Sequence, residues 1–388
     1  MLSVLHLTEF GDYVRLIPLL FCLVAIFYYC LGVYSAIDFL LQSKQVTPEF
    51  HPPVSILKPL CGSDNNTYEH LASFCRQDYP DYQIVFGVQD PLDPVVAVVK
   101  QIISDFPAIK TCLVISDRAI GTNLKISNLA NAQTEAIHPI LLISDSDIHV
   151  GSDYLMTVVQ PLCDPAVGVL TCMYRSVAQG WVADFEALGI STELAPTTLV
   201  SRKLAGMNFG IGATIVIRQS VLEAIGGFKS VANYLHDDFH LGRMPSDAGY
   251  QVVLSHYVVN HRLDTQGFVD LIQHQTRWNR GIRVCQPLGY VGQIFTFGTV
   301  ASLLCLLTLQ ASQLSCLVLG VTWLFRLALA WMVGVKVLND PVVKKLFWLV
   351  PLSDLLRFGL WCYGLVGDRV EWRGRTLKLT REGQLITR

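Results

Sequence analysis

Hydrophobic positions follow two different patterns along this chain. At the flanks they run on without interruption. Residues 16–37 (LIPLLFCLVAIFYYCLGVYSAI) hold no charge before Asp38, which meets the roughly 20 apolar residues needed to cross a hydrocarbon core. Tyr28, Tyr29 and Tyr34 fall toward the end of that run, where an aromatic belt is expected. The run reads as an anchor, residues 1–41, rather than a signal peptide. A signal peptide has a shorter apolar part, and here Glu9 and Asp12 precede the basic Arg15. Toward the other end, residues 290–309 and 314–335 predict a second and a third span. Arg326 interrupts the third and is expected to face protein or reach for the interface. Residues 346–366 are weaker, because Pro351, Asp354 and Arg357 lie inside them. Those two charges are three residues apart and can pair on one helical face. A fourth span, a re-entrant segment and an interfacial helix all stay open there.

Between the flanks the pattern is short and broken. VSILK at 54–58, QIVFGV at 83–88, residues 112–115 and PILLIS at 139–144 are β-rich runs. Residues 67–77, 95–104 and 128–136 have helical character. Strands alternating with helices of about ten residues predict βαβ units, an α/β, Rossmann-like fold on a mostly parallel sheet. Ligands of such sheets bind beyond the C-terminal strand ends, where Asp90 and Asp145 both fall.

Composition sharpens the division. Charged residues make up 15% of the 388, hydrophobic ones 52%, and the mean hydropathy is +0.42. Residues 1–41 and 286–366 together hold 11 charges, 42–285 hold 40, and the tail 367–388 holds nine, six of them basic. The chain therefore reads as an anchor at 1–41, a domain at 42–285, a membrane region of two or three spans at 286–366, and a basic tail at 367–388. A net charge of -2 gives no electrostatic footprint for nucleic acid, and the apolar content excludes disorder. Lys336, Lys344 and Lys345 make a cationic link that favours the cytoplasmic side. Two spans separate that link from the 42–285 domain, which is then cytoplasmic too. The basic tail prefers the same side, yet one more full span would put it on the other. Eleven cysteines without a CxxC pair suggest reduced thiols, not a disulfide framework.

Three groups of residues carry candidate chemistry. Asp145-Ser146-Asp147 follows an apolar strand directly, with His149 two residues on. Paired carboxylates at a strand-end turn suit Mg2+ or Mn2+ bridging a diphosphate. His236-Asp237-Asp238 follows a stretch with Gly210, Gly212, Gly226 and Gly227 and opens a predicted helix. One of its carboxylates is either an N-cap or a general base. His274-Gln275-Thr276-Arg277-Trp278 is followed by Arg280 and Arg283. On a helix the three guanidinium groups share a side, fit for phosphate oxygens or for anionic lipid head groups.

Asp90, Asp145-Ser-Asp147, Asp238 and Arg277-Trp278, in this order, resemble the membrane-bound processive and lipid-directed glycosyltransferases of the GT-A type. SILKPLCG at 55–62, Asp78-Tyr79-Pro80, Val88-Gln89-Asp90 and GTNLKISNL at 121–129 are similar to the ceramide glucosyltransferase family, which includes bacterial hopanoid-associated relatives. The resemblance covers residues 16–370. It implies that Asp90 contacts uracil or ribose, that Asp145 and Asp147 hold Mn2+ or Mg2+ on the diphosphate, and that Lys125 supports the donor phosphates. It also implies that Asp238 is the base, and that Arg277 with Trp278 closes the site over diphosphate and acceptor. Two positions depart from the pattern. Animal members carry only the first Asp of the DxD, and His274 stands where the family has Gln or Arg.

The implied activity is transfer of a sugar from a UDP-sugar donor to the hydroxyl of a membrane lipid acceptor at the bilayer surface. Glucose would go to ceramide, by one in-line displacement with inversion. A hopanoid acceptor with UDP-N-acetylglucosamine is the alternative within this class. A processive polysaccharide synthase usually needs more spans. A haloacid-dehalogenase-type hydrolase also opens on a strand with DxD, but expects it near the domain start and Thr or Val where His149 stands. The amphipathic stretch 181–194 either lines a lipid entrance or packs as a core helix. The implied protein is multi-pass and integral to the membrane, with its catalytic domain facing the cytoplasm.

Overall fold

The computed structural model describes residues 10–42, 49–64, 66–372 and 374–386. Glu9, Arg373, Arg388 and the side chains of Asp12 and Arg15 lie outside the described residues. The chain divides into two compact units.

One unit comprises residues 43–179, 204–264 and 368–388. Eight strands form its main sheet: β1 (Val54–Pro59), β2 (Tyr82–Val88), β3 (Lys110–Ile115), β4 (Ile140–Ile143), β5 (Ile148–His149), β6 (Val167–Ala178), β7 (Ile215–Arg218) and β8 (Gln251–Leu263). Their order is β3-β2-β1-β4-β7-β6-β8-β5. β1 runs parallel to both β2 and β4, and β2 to β3. β7 reverses between β4 and β6, while β6 and β8 are parallel again. β1, β2 and β4 are buried along their whole length, as strands covered on both faces must be. Successive residues enter opposite core layers: Ile56, Ile84 and Leu142 pack in one, Leu57, Val85 and Leu141 in the other.

The expected helices at 67–77 and 95–104 are present as Thr67–Cys75 and Val95–Asp105. The one expected at 128–136 starts earlier, as Leu124–Gln133, because the Asn123 side chain caps it by accepting from Ile126 N–H. That shift puts Lys125 in the first helical turn.

The basic tail also belongs to this unit. It folds as an antiparallel meander of β9 (Arg369–Trp372), β10 (Arg375–Leu379) and β11 (Leu385–Ile386). Val370, Leu377, Leu379 and Leu385 are buried while Arg369, Arg375 and Lys378 stay exposed, the alternation of a one-faced sheet.

The other unit comprises residues 1–42, 180–203 and 265–367. The linear division at 42, 285 and 366 is thus redrawn: 180–203 and 265–285 pack with the apolar helices, and the tail leaves them. Helix Phe10–Leu41 contains the apolar run Leu16–Leu41, and Gln313–Val337 is the second helix long and apolar enough to cross a membrane. The span expected at 290–309 is instead the pair Pro287–Thr296 and Gly298–Thr308, bent by 50°. The break is held from a distance. Tyr29 Oη donates to Thr296 O at 2.8 Å and accepts from Gly298 N at 3.0 Å, so the backbone groups freed at the break are satisfied.

Helix Val350–Gly364 has 15 residues, about 22 Å of rise against a hydrocarbon core of about 30 Å. Its charges do not pair with each other. Asp354 is bound by Arg326, with Nη2 2.7 Å from Oδ1, and by Thr299 Oγ1 at 2.6 Å. Arg357 pairs with Glu193. Asp354 is satisfied instead by Arg326, which forks onto it through Nε and Nη2, with Thr299 adding a further bond. Arg326 is 5% exposed and faces protein as expected.

Candidate active site

β4 delivers its chain end at Ser144, and the acidic turn follows. β5 then zips antiparallel onto β8, pairing Ile148 with His261, while Arg262 N–H donates to Asp147 O at 3.0 Å. The turn is thereby fixed on both sides. Lys125 Nζ lies 2.7 Å from Asp145 Oδ1 and 3.4 Å from Asp237 Oδ2. Asp147 Oδ2 is 3.5 Å from His261 Nε2, and its Oδ1 is buried without a hydrogen-bond partner. Below the turn, Lys58 is fully buried in β1. Its amine donates to the Asp145 carbonyl and to Ser144 Oγ, and lies 3.9 Å over the Phe74 ring. Burial pushes the Lys58 amine down to about 7, against the pull of Asp147 and Asp145.

The second acidic pair opens helix Asp237–Asp247. His236 is the N-cap and makes no side-chain cap bond, so neither carboxylate serves as the cap. Asp237 Oδ1 accepts from Asn123 Nδ2 at 3.2 Å, and Asp238 Oδ1 accepts from Phe239 N–H at 2.8 Å. Close backbone approach explains Gly210, before this helix, and Gly242, within it. A Cβ on Gly210 would lie 2.4 Å from Asp238 O, and one on Gly242 would lie 2.2 Å from Gly210 N. Burial lifts the carboxyls of Asp237 and Asp238 above the usual aspartate range, with Lys125 opposing. Burial also works against the charge on Lys125, but Asp145 and Asp237 outweigh it and raise its amine. For Asp147 burial is overcome by His261 and Lys58, which bring the carboxyl below its ordinary value.

Lys125 thus joins two acidic segments that are 92 residues apart by their numbers, Asp145 and Asp237. Asp90 is exposed at the end of β2, and its carboxylate accepts from Leu92 N–H within its own turn. His274, Arg277 and Trp278 lie on helix Phe268–Cys285 of the other unit. There His274 Nδ1 is 2.9 Å from the buried Glu186, which also accepts from Gln275 at 2.7 Å and Thr265 at 2.5 Å. The His274 ring lies 4.6 Å from that of Trp278. Arg280 donates to Val366 O, and Arg283 to the carbonyls of Leu365 and Gly367. These two guanidinium groups therefore cap the end of helix Val350–Gly364.

Sequence reasoning gives no role to Lys58, His261 or Glu186, and treats Asp237 only as one of a pair with Asp238. For Lys58 the signal is present: one charge inside an otherwise apolar, buried strand.

The turn suits a hard divalent cation. The orphaned Asp147 oxygen is a vacant ligand, and two carboxylates leave positions for water and phosphate oxygens. Among the described residues no group of three or more His, Cys, Asp or Glu surrounds such a position. The arrangement therefore fits an ion shared with a substrate rather than a closed protein cage. When bound, the ion would neutralise charge developing on a leaving diphosphate.

A sheet of this order with an acidic turn after its fourth strand is the GT-A glycosyltransferase fold. A mannosyltransferase from Pyrobaculum calidifontis, solved with GDP-Man and Mn2+, superposes with a TM-score of 0.59 at 16% identity, over 90% of this chain and 98% of its own. Residues 17–385 match glycosyl transferase family 21, and the chain belongs to that family. It is 25% identical over 349 residues to ceramide glucosyltransferase 3 of Caenorhabditis elegans, covering 86% of this chain and 74% of the relative. Ceramide glucosyltransferase 1 of the same organism is 28% identical over 206 residues, 53% of this chain and 44% of that protein. The protein is a membrane-associated glycosyltransferase.

Proposed function

We propose that this glycosyltransferase moves glucose from UDP-glucose to the primary hydroxyl of ceramide, with inversion. The observation that carries the reading is the meeting of two acidic segments at Lys125, one with a carboxylate oxygen left unpartnered. Asp145 and Asp147 hold Mn2+ or Mg2+ against the diphosphate, and Lys125 steadies the same phosphates. Asp238 takes the proton of the acceptor hydroxyl, helped by a pKa that burial has raised toward working pH. Asp90 contacts the uridine, while Arg277 and Trp278, with His274 beside them, serve the diphosphate and acceptor. The named worm relatives support the donor and acceptor.

The path of the chain supports a multi-pass, cytoplasm-facing arrangement. Residues 204–264 and the tail 368–388 belong to one unit, which supports an even number of crossings in the stretch between them. The bent pair 287–308 and helix Gln313–Val337 are the two candidate crossings, and the 15-residue helix Val350–Gly364 is short for a third. Lys336, Lys344, Lys345 and the basic tail then share the side of the catalytic unit, which the positive-inside rule puts in the cytoplasm.

Membranes containing the protein, given labelled UDP-glucose, ceramide and Mn2+ or Mg2+, should yield a β-glucoside of the lipid. Labelling of a hopanoid alcohol from UDP-N-acetylglucosamine instead would overturn the assignment of donor and acceptor.

A further inference from the structure

The tail lies against the two segments that carry Lys125 and Asp237-Asp238. β11 extends the backbone that leads into the acidic helix: Leu385 N–H donates to Asn233 O at 2.6 Å, Leu235 N–H donates to Gly383 O at 3.2 Å, and Tyr234 bridges antiparallel to Gln384. The same strand reaches the other segment, because Thr122 Oγ1 donates to Leu385 O at 2.8 Å. Thr122 N–H donates to Asn233 Oδ1 at 2.9 Å, which ties the two segments to each other as well. One residue on, Asn123 donates from Nδ2 to Tyr234 O at 2.9 Å and to Asp237 Oδ1 at 3.2 Å. Leu385 itself is 1% exposed.

From this chain of contacts we infer that the tail is part of the catalytic apparatus, a clasp that sets the spacing between Lys125 and the carboxylates of Asp237 and Asp238. Thr122 and β11 are positioning residues, since neither touches a reacting group. The physical reason is economy of constraint. Residues 118–123 and 233–236 are loops, and loops hold a side chain to tenths of an ångström only when their backbone groups are bonded. Strand addition supplies those bonds in the way that β-augmentation supplies them to a bound peptide. A base at Asp238 and a phosphate-steadying amine at Lys125 demand such accuracy, because a displacement of about 1 Å can cost about a hundredfold in rate.

The inference rests on the glycosyltransferase reading of the site but not on the choice of lipid. Its test is a chain ending at Gly367, together with Thr122→Val and Thr122→Ser in the full chain, all assayed in membranes. The truncated chain should lose about a hundredfold in kcat, and addition of a synthetic peptide of residues 368–388 should restore part of it. Thr122→Val should lower kcat about tenfold with little change in the donor KM, and Thr122→Ser, which keeps the hydroxyl, should recover most of the rate. Full kcat in both the truncated chain and Thr122→Val overturns the clasp. So does a loss in the truncated chain that the peptide does not restore, combined with an unaffected Thr122→Val. A wild-type protein that transfers no sugar would instead defeat the reading of function. Hydrogen exchange of residues 233–238, faster in the truncated chain, then still distinguishes a docked tail from a free one.

Discussion

The buried ion pair of the membrane unit and the acidic cluster of the catalytic unit handle charge in different ways. In the membrane unit Asp354 is matched to Arg326, Glu193 to Arg357 and Asp38 to Lys203. Glu186, also there, accepts three hydrogen bonds. In the catalytic unit four aspartates gather about Lys125 and Lys58, and an oxygen of Asp147 has no partner at all. Matched charges fix a structure. An unmatched set leaves a demand for positive charge, which a cation carried in with a diphosphate would answer on the proposed reading. The contrast is open to direct attack, because equal substitutions in the two regions should have unequal consequences.

The largest effect should come from Asp238→Asn. The change keeps shape and removes basicity, so kcat should fall by about a thousandfold, while donor binding is retained. The acid side of the kcat profile carries the same information. On the proposed mechanism Asp238 works as a carboxylate, and burial raises its pKa. Protonation on falling pH therefore sets in above the ordinary aspartate value of about 3.9, and the acid limb of the wild-type profile should lie above that value. An Asp238→Asn enzyme with unchanged turnover would remove the base from the mechanism.

Next in size is the buried pair of the membrane unit. Arg326→Met leaves Asp354 buried with Thr299 as its remaining bonded partner, and should cost about 3–5 kcal/mol. Replacing both residues by Met and Leu should recover much of that loss, since a well-packed apolar pair removes the desolvation cost as well as the attraction. Thermal unfolding in detergent checks both. A double variant as unstable as the single one would mean that the ion pair itself, rather than an abandoned charge, carries the stability.

How far such features could be read from the sequence depended on whether their causes are local. β1, β2 and β4 were legible, because strands buried on both faces are plain apolar runs. β8 was not, since Ser255, His256, Asn260, His261 and Arg262 break its apolar pattern where it borders the acidic turn. The DxD and Asp238 were visible as strand-end and helix-start carboxylates. Asp237 was taken with Asp238 as one motif, although its partners, Asn123 and Lys125, lie on another helix. The break at Phe297 has no local mark, because the hydroxyl that holds it belongs to Tyr29 in a different helix. Asp354 chose a partner 28 residues away over one three residues away. The tail's alternation was in the sequence, but its charges drew attention to sidedness and hid a sheet.

The smallest change makes the most exact comparison. Thr299 donates its hydroxyl to Asp354 Oδ2 at 2.6 Å, and Thr122 donates to Leu385 O at 2.8 Å with Asn233 Oδ1 also in reach at 3.2 Å. Valine has the same shape and no hydroxyl. The change should lower stability by about 1 kcal/mol at Thr122 and by about 1.5–3 kcal/mol at Thr299, whose acceptor is charged. Catalysis should separate them. Thr299 serves a matched ion pair whose arginine bonds survive, so its loss should leave kcat alone. Thr122 serves a loop one residue from Asn123 and three from Lys125, so its loss should appear in kcat. Measured side by side, the larger shift in Tm at Thr299 with the loss of kcat at Thr122 would separate bonds that hold the protein together from bonds that hold its chemistry in register. Equal effects on kcat would dissolve the distinction between the two units.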